Sequence, residues 1–272
     1  VPTQSEKAAL FLALHHGDSP LLLPNPWDVG SAKLLASLGF AALATTSSGF
    51  AATLGRLDGS VTRDEALAHA RHIVDATDLP VSADLENGFA DDPSAVAGTV
   101  DRAVACGLAG FSIEDSTGRA DTPVYDIDHA AARVAAAARS AHDGAVRIVL
   151  TARAENHLHG RPDLADTIAR LQRYQAAGAD VLFAPGLTSL DDIAQVVTSV
   201  DLPVNVLAIA GVPSVSELAS VGVRRISVGG GFAFAALGAV VQAGRELLDE
   251  GTYRFRELAG PGAAAARAAF RP

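Results

Sequence analysis

One local event recurs along this chain: a helix-forming stretch stops at a glycine and a short β-rich run begins. The junctions are Leu38-Gly39-Phe40, Cys106-Gly107-Leu108, Ala177-Gly178-Ala179 and Val221-Gly222-Val223. Glycine just past a helix takes the left-handed conformation that caps the last carbonyls without steric cost. Two further junctions, Asp78-Leu79-Pro80-Val81 and Asp201-Leu202-Pro203-Val204, use proline, which stops a helix and is tolerated at the first position of a strand. Between these marks lie eight candidate strands, at 21–24, 41–46, 81–85, 110–114, 147–152, 180–184, 204–208 and 225–228. Helical patterns follow them, among them 64–76, 93–105, 129–141, 164–176 and 190–199, with Ser31, Thr62, Asp92, Asp163, Ser189 and Ser214 as N-cap candidates. Strands that are apolar without polar alternation belong in a parallel sheet covered on both faces. Eight such units predict a single-domain α/β fold over residues 1–272, a (β/α)8 barrel with its chemistry at the C-terminal strand ends. An open doubly wound sheet is the runner-up, because strand closure is not written in a sequence. The barrel core is expected at 20–250, with 251–272 a helical tail that packs on a neighbouring subunit.

Composition narrows the partners. The formal charge is −10, which argues against nucleic acid or an anionic membrane surface. No apolar run reaches the roughly 20 residues that span a bilayer, and Val1–Lys7 lacks the pattern of a signal peptide. The single cysteine, Cys106, leaves no internal disulfide and fits a reducing cytoplasm. It sits at a helix end, on the barrel face away from the acids, where a small buried hydrophobe is expected. A small anionic substrate would need local positive charge, from a metal or from arginine.

The chemistry concentrates in Pro80-Val81-Ser82-Ala83-Asp84-Leu85-Glu86-Asn87-Gly88, an apolar strand ending in two acids and a turn. Residues i and i+2 of a strand share a face, so Asp84 and Glu86 address one point. The next strand ends in Glu114-Asp115, the loop after strand two carries Asp58, and strand five ends in Arg153, Glu155 and His157. Any one of these acids alone would be read as a solvated loop residue. Gathered at consecutive strand ends, they suit a hard divalent cation, and the reading is a Mg²⁺ site, with Mn²⁺ as its substitute.

These motifs resemble the isocitrate lyase/phosphoenolpyruvate mutase superfamily, and the likeness runs from Asn25-Pro26-Trp27-Asp28 to about Gly251. Ser48-Gly49-Phe50 with Leu54-Gly55-Arg56-Leu57-Asp58-Gly59 is similar to its carboxylate loop and first metal-shell acid. Ala83-Asp84-Leu85-Glu86-Asn87-Gly88 is similar to D-x-D-x-G, Ser112-Ile113-Glu114-Asp115 to the I-E-D motif, and Thr151-Ala152-Arg153-Ala154-Glu155 to A-R-x-E. The resemblance implies a lyase that cleaves a C–C bond of a small 2-oxo or 2-hydroxy carboxylate through a metal-bound enolate. It implies Asp84 as direct metal ligand and Asp58, Glu86 and Glu114 in the outer shell, Glu114 being a catalytic candidate as well. Arg153 would clamp the enolate oxygen or a carboxylate, and Ser48, Gly49 and Phe50 would grip the substrate's carboxylate through backbone N–H groups. A homo-oligomer, dimer or tetramer, with its last helix exchanged between subunits is implied too.

Departures from the family pattern leave the subclass open. The loop after strand four reads Ser116-Thr117-Gly118-Arg119-Ala120-Asp121-Thr122-Pro123-Val124-Tyr125, with neither the lyases' K-K-C-G-H nor the mutases' Lys and Asn-Ser. The member most resembled is therefore a carboxyphosphonoenolpyruvate phosphonomutase-like one without the lyase loop. Tyr125 and Arg119 are the loop's candidates for acid and anion clamp, and 116–126 is read as a mobile lid. His157 is the candidate from the loop after strand five and Trp27 a pocket wall, while His69 and His72 are expected at the surface. The run Gly229-Gly230-Gly231 is read as close helix–strand packing rather than a phosphate site. P–C bond chemistry, a simple decarboxylase, and a ligand-binding barrel that kept its metal shell are the alternatives.

Overall fold

Each strand is short and leads into a helix. In chain order the elements are α1 (Gln4–Leu14), β1 (Leu21–Leu23), α2 (Val29–Ser37), β2 (Leu43–Ala44), α3 (Ser47–Thr53), α4 (Arg63–Asp75), β3 (Val81–Asp84), α5 (Pro93–Ala105), β4 (Gly110–Glu114), α6 (Ile127–His142), β5 (Val149–Arg153), α7 (Leu164–Ala176), β6 (Val181–Phe183), α8 (Leu190–Thr198), β7 (Val204–Leu207), α9 (Val215–Ser220), β8 (Arg225–Ser227), α10 (Gly231–Arg245) and α11 (Arg256–Ala269). The computed structural model describes residues 2–270. Thr62, Asp92, Asp163, Ser189 and Ser214 cap their helices by accepting backbone N–H groups, as read from the sequence. For α2 the cap is Asp28, with Ser31 answering from the third helical position in a reciprocal capping box. Ser31 carries the right chemistry but sits on the inner side of that pair.

All strand pairs are parallel, in the order β1-β8-β7-β6-β5-β4-β3-β2. The Ala44 N–H donates to the Pro24 carbonyl at 3.1 Å and brings the ends of β1 and β2 together, so the sheet forms a nearly closed (β/α)8 barrel rather than an open one. Period-two alternation sorts the side chains. Phe111, Ile113, Leu150, Ala152 and Ile226 turn outward into a buried layer with Ile73, Val100, Ala137, Leu171 and Val196 of the helices. The inward positions are small and polar: Ser82, Ser112, Thr151, Asn205 and Ser227 are all buried or half-buried. Branched apolar residues usually fill a barrel interior, and their replacement by hydroxyls leaves room for a cavity. Phe11 of α1 closes the lower end, where a Cβ on Gly110 would stand 2.8 Å from its ring.

α10 departs from this scheme. Ala233 is its one buried residue, while Phe234, Leu237, Val240 and Val241 are exposed. The helix continues through a π-helical turn, Glu246–Glu250, whose Leu248 is 86% exposed. By length and composition Gly231–Glu250 is apolar enough to cross a membrane. This corrects the expectation of no such stretch, which counted apolar runs, whereas this helix is interrupted by Gln242, Arg245, Glu246, Asp249 and Glu250. α11 has no buried residue and lies against α2, with Phe270 beside Gly30.

Candidate active site

The ends of β3, β4 and β5 bring Asp84, Glu114 and Arg153 side by side, because Asp84 is in register with Ser112 and Glu114 with Arg153. Arg153 is the centre of the cluster. Its Nη1 donates to Asp84 Oδ1 at 3.2 Å, and its Nη2 reaches Glu114 Oε2 at 3.0 Å and Glu155 Oε1 at 2.7 Å. Its Nε donates to the same Glu155 oxygen, and the guanidinium lies 5.2 Å from the centre of the Phe183 ring. Burial disfavours the Arg153 charge, but Glu155, Glu114 and Asp84 outweigh it and hold the group protonated above its ordinary range. Burial pushes Glu114 well above the carboxylate range and raises Glu155, with Arg153 opposing in both cases.

Asp84 is oriented from two sides. Ser47 N–H donates to its Oδ2 at 3.1 Å, and Glu86 N–H to its Oδ1 at 3.2 Å. Asp84 also lines the cavity. Glu86 has φ +48, a left-handed conformation costly for a residue with a side chain. Its carbonyl is held by Glu114 N–H at 2.9 Å. Arg133, buried in α6, donates to the carbonyls of Asn87, Ala90 and Glu114 and so staples this turn. Burial, then Asp84 and Asp58, push the Glu86 carboxyl up to about 7.

Behind the cluster Asp115 is a buried hub. It accepts Glu155 N–H at 2.8 Å, Arg170 Nη1 at 2.9 Å and Tyr174 OH at 2.6 Å. Sequence reasoning missed Arg133, Arg170 and Tyr174, which reach the site from helices whose periodicity reads only as amphipathic. It also passed over Asn25, whose amide joins three strand ends: its Nδ2 donates to Thr45 O, and its Oδ1 accepts Val228 and Gly229 N–H.

The cavity above the cluster has a volume of about 190 Å³ and is walled by Ser47, Ser48, Asp58, Asp84, Arg153 and Gly230 among others. Asp58 is exposed at its rim. Gly49 is forced by close approach, since a Cβ there would stand 2.6 Å from Thr46 Cγ2 and 3.2 Å from both Trp27 and Ala233. Gly230 is pressed as closely on Ser48 Oγ and Phe234, in keeping with the packing role read for that glycine run.

Several expected contacts fall elsewhere. Phe50 stacks on His69 with ring centres 3.9 Å apart, and its N–H closes the first turn of α3 on Thr46 O, so neither faces the cavity. His69 is therefore buried, not at the surface, and burial lowers its pKa to about 4. Trp27 supports Gly49 from behind rather than walling the cavity. His157 turns toward Gly186, and its neighbour Leu158 lines the cavity instead. Tyr125 donates to Asp91 Oδ1 and packs under Arg133, while Arg119 pairs with Asp91 at 3.1 Å, so both stand outside the cavity wall. Segment 116–126 forms a turn, bridged between Ser116 and Val124, with Ser116 Oγ 3.1 Å from His159 Nε2. The Cys106 thiol reaches toward Leu67 O at 3.6 Å and is pushed up by burial, away from the acids as expected.

Among the described residues no three His, Cys, Asp or Glu side chains converge as direct ligands of one ion. The donor set fits a hard cation bound by one carboxylate and water rather than a cage of protein ligands. Arg153 is shared among three carboxyl groups, with Glu86 and Asp58 in addition, so the carboxyls at the cavity mouth outnumber the guanidinium and their crowding is relieved by protons or by a cation.

The family model for phosphoenolpyruvate phosphomutase matches residues 11–248. A crystal structure of a Burkholderia cenocepacia protein, assigned by inference as a lyase/mutase, superposes with a TM-score of 0.95 at 50% identity, covering 99% of this chain and 97% of that one. An uncharacterized Mycobacterium tuberculosis protein is 34% identical over 88% of this chain and 89% of its own length. The oxaloacetate decarboxylase of Chromohalobacter salexigens is 28% identical over 91% of this chain and 88% of its own. Together with the Asp84–Arg153–Glu114 cluster, these matches show that the chain belongs to the phosphoenolpyruvate phosphomutase family, within the isocitrate lyase/PEP mutase superfamily of C–C lyases and mutases.

Proposed function

We propose that this protein is a divalent-metal-dependent lyase that cleaves a C–C bond of a small 2-oxo or 2-hydroxy carboxylate and releases a pyruvate-type product. The observation that carries this is the cluster at the ends of β3, β4 and β5: one guanidinium among carboxylates that outnumber it. A cation bound in place of the protons these crowded carboxyls take up would supply the positive charge that an anionic substrate needs. Mg²⁺, or Mn²⁺ in its place, would be held by Asp84 directly and by Asp58, Glu86 and Glu114 through water, and supplies Lewis-acid polarisation of the substrate's oxygen. The Ser47 hydroxyl and the Ser48 N–H, at the start of α3, would orient the substrate's carboxylate. Arg153 would stabilise the enolate oxygen from a direction fixed by Glu155.

Among the described residues, no Lys, His or Cys lines the cavity. That favours a decarboxylation in which CO₂ leaves, its bond pair stays in the enolate, and water supplies the proton. Cleavage into two larger fragments calls for a positioned acid. The test is pyruvate release coupled to lactate dehydrogenase, with and without Mg²⁺, on oxaloacetate, 2-alkylmalates, methylisocitrate and phosphonopyruvate. Metal-dependent turnover of oxaloacetate is expected. Turnover of phosphonopyruvate alone would move the assignment to P–C chemistry. Silence across the panel while Mg²⁺ binds would favour a ligand-binding barrel.

The exposed apolar face of α10 and its π-helical turn supports a homo-oligomer in which that face packs on a second copy. Val240→Glu with Leu248→Glu is expected to lower the mass measured by light scattering. An unchanged mass would refute this contact.

A further inference from the structure

Arg225 is a buried cation that the active-site cluster does not use. It opens β8, points inward and lines the lower part of the cavity, in register with Asn205 of β7. Its Nη1 donates to Thr151 Oγ1 at 3.0 Å and to His15 Nε2 at 3.3 Å. Among the described residues, its buried Nε finds no acceptor, and no carboxylate lies within 4.0 Å of it. Arg153 is answered by three carboxylates and Arg170 by Asp115 and Asp166, whereas Arg133, like Arg225, has only neutral partners and an unpartnered Nε but does not line the cavity. Arg225 has only neutral partners, since His15 donates its Nδ1–H to Phe11 O and is kept uncharged by burial. Asn205 Oδ1 is unpartnered as well, and its Nδ2 donates to Ser227 Oγ. A buried guanidinium without a counter-charge, at the foot of a hydroxyl-lined cavity, calls for an anion.

We propose that Arg225, with the Nδ2 of Asn205 and the hydroxyls of Thr151 and Ser227, forms a second anion subsite beneath the active-site cluster and takes the far carboxylate of a dicarboxylate substrate. Thr151, which contacts Arg225, is two residues below Arg153 on β5, a rise of about 6.6 Å. Carboxylates at the two ends of a four- or five-carbon chain span most of that distance, whereas those of malonate do not. The dicarboxylate assignment rests on the lyase reading above. The anion site itself does not, because a free halide would meet the same chemistry.

Binding separates these possibilities without turnover. Dissociation constants are measured by calorimetry for malonate, succinate and glutarate and for the monocarboxylates of equal chain length, in gluconate and in chloride buffers. One charge-assisted contact predicts that succinate or glutarate binds the wild type about 10- to 100-fold more tightly than its monocarboxylate. In Arg225→Gln that ratio should fall to near parity. Asn205→Asp keeps the volume and supplies an internal counter-ion, so it should abolish the preference while the melting temperature is retained or raised. If chloride stabilises the wild type but not Arg225→Gln, and erases the preference, the subsite stands with a halide as its occupant. A dicarboxylate preference equal in all three proteins, with no chloride effect, would overturn the proposal, whatever the enzyme then proves to cleave.

Discussion

Replacing Arg153 by methionine removes the one positive charge among Asp84, Glu114 and Glu155 and keeps an unbranched side chain beside Phe183. Each charge-assisted contact contributes about 1.5–3 kcal/mol, so three together would suggest a larger loss than one side chain delivers. The bound is set by the stranded carboxylates, which take up protons instead of staying ionised, and a loss of about 3–5 kcal/mol is expected near neutral pH. The pH dependence is the diagnostic. In the variant the folded carboxyls have pKa values raised by burial above their unfolded value. Their contribution is therefore complete below about 4.5 and is lost as pH rises through the folded values. Urea unfolding of both proteins in EDTA, near pH 7.5 and near pH 5, should show a gap that narrows at the lower pH. Mg²⁺ should restore part of the variant's stability at the higher pH by acting as counter-ion. A gap below about 1 kcal/mol, or one that is the same at both pH values, would refute the view that Arg153 balances this cluster.

Three further outcomes follow from the same geometry. Gly49→Ala sets a methyl 2.6 Å from Thr46 Cγ2, so a loss of about 1–3 kcal/mol is expected in thermal unfolding, with KM rising because α3 shifts; an unchanged KM would separate this glycine from the substrate. Asp115→Asn leaves the buried Arg170 with Asp166 as its one counter-ion and weakens the hold on Glu155 N–H; a stability loss of about 1.5–3 kcal/mol is expected, measured by urea unfolding. His69 is kept neutral when folded, with its pKa lowered to about 4 by burial, so the unfolded chain binds the extra proton first. Stability should fall as pH drops from about 6.5 towards 4, by about 3 kcal/mol in all, and His69→Phe should flatten that slope.

How much of this was legible depends on the range of the interaction. Glycine and proline stops, side-chain caps and apolar strand runs act over a few residues, so the sequence alone placed the eight strands, the parallel barrel and the acids at consecutive strand ends. Because strand neighbours are fixed by that topology, Asp84, Glu114 and Arg153 were legible as one group before any coordinates. What lay beyond the sequence was the direction of loop side chains. Phe50 turned to His69, and Tyr125 and Arg119 to Asp91, each drawn by a partner on a different element, while His157 packs beside Gly186 with its buried Nε2 unpartnered. The same reason hid the buried supports: Arg133, Arg170 and Arg225 look like ordinary helix or strand-edge cations until packing brings carbonyls, a carboxylate or an empty cavity floor against them. Local chemistry determined the barrel and the place of its chemistry. Only tertiary packing decided which side chains face the substrate, because a buried polar group is oriented by the distant partner that satisfies it.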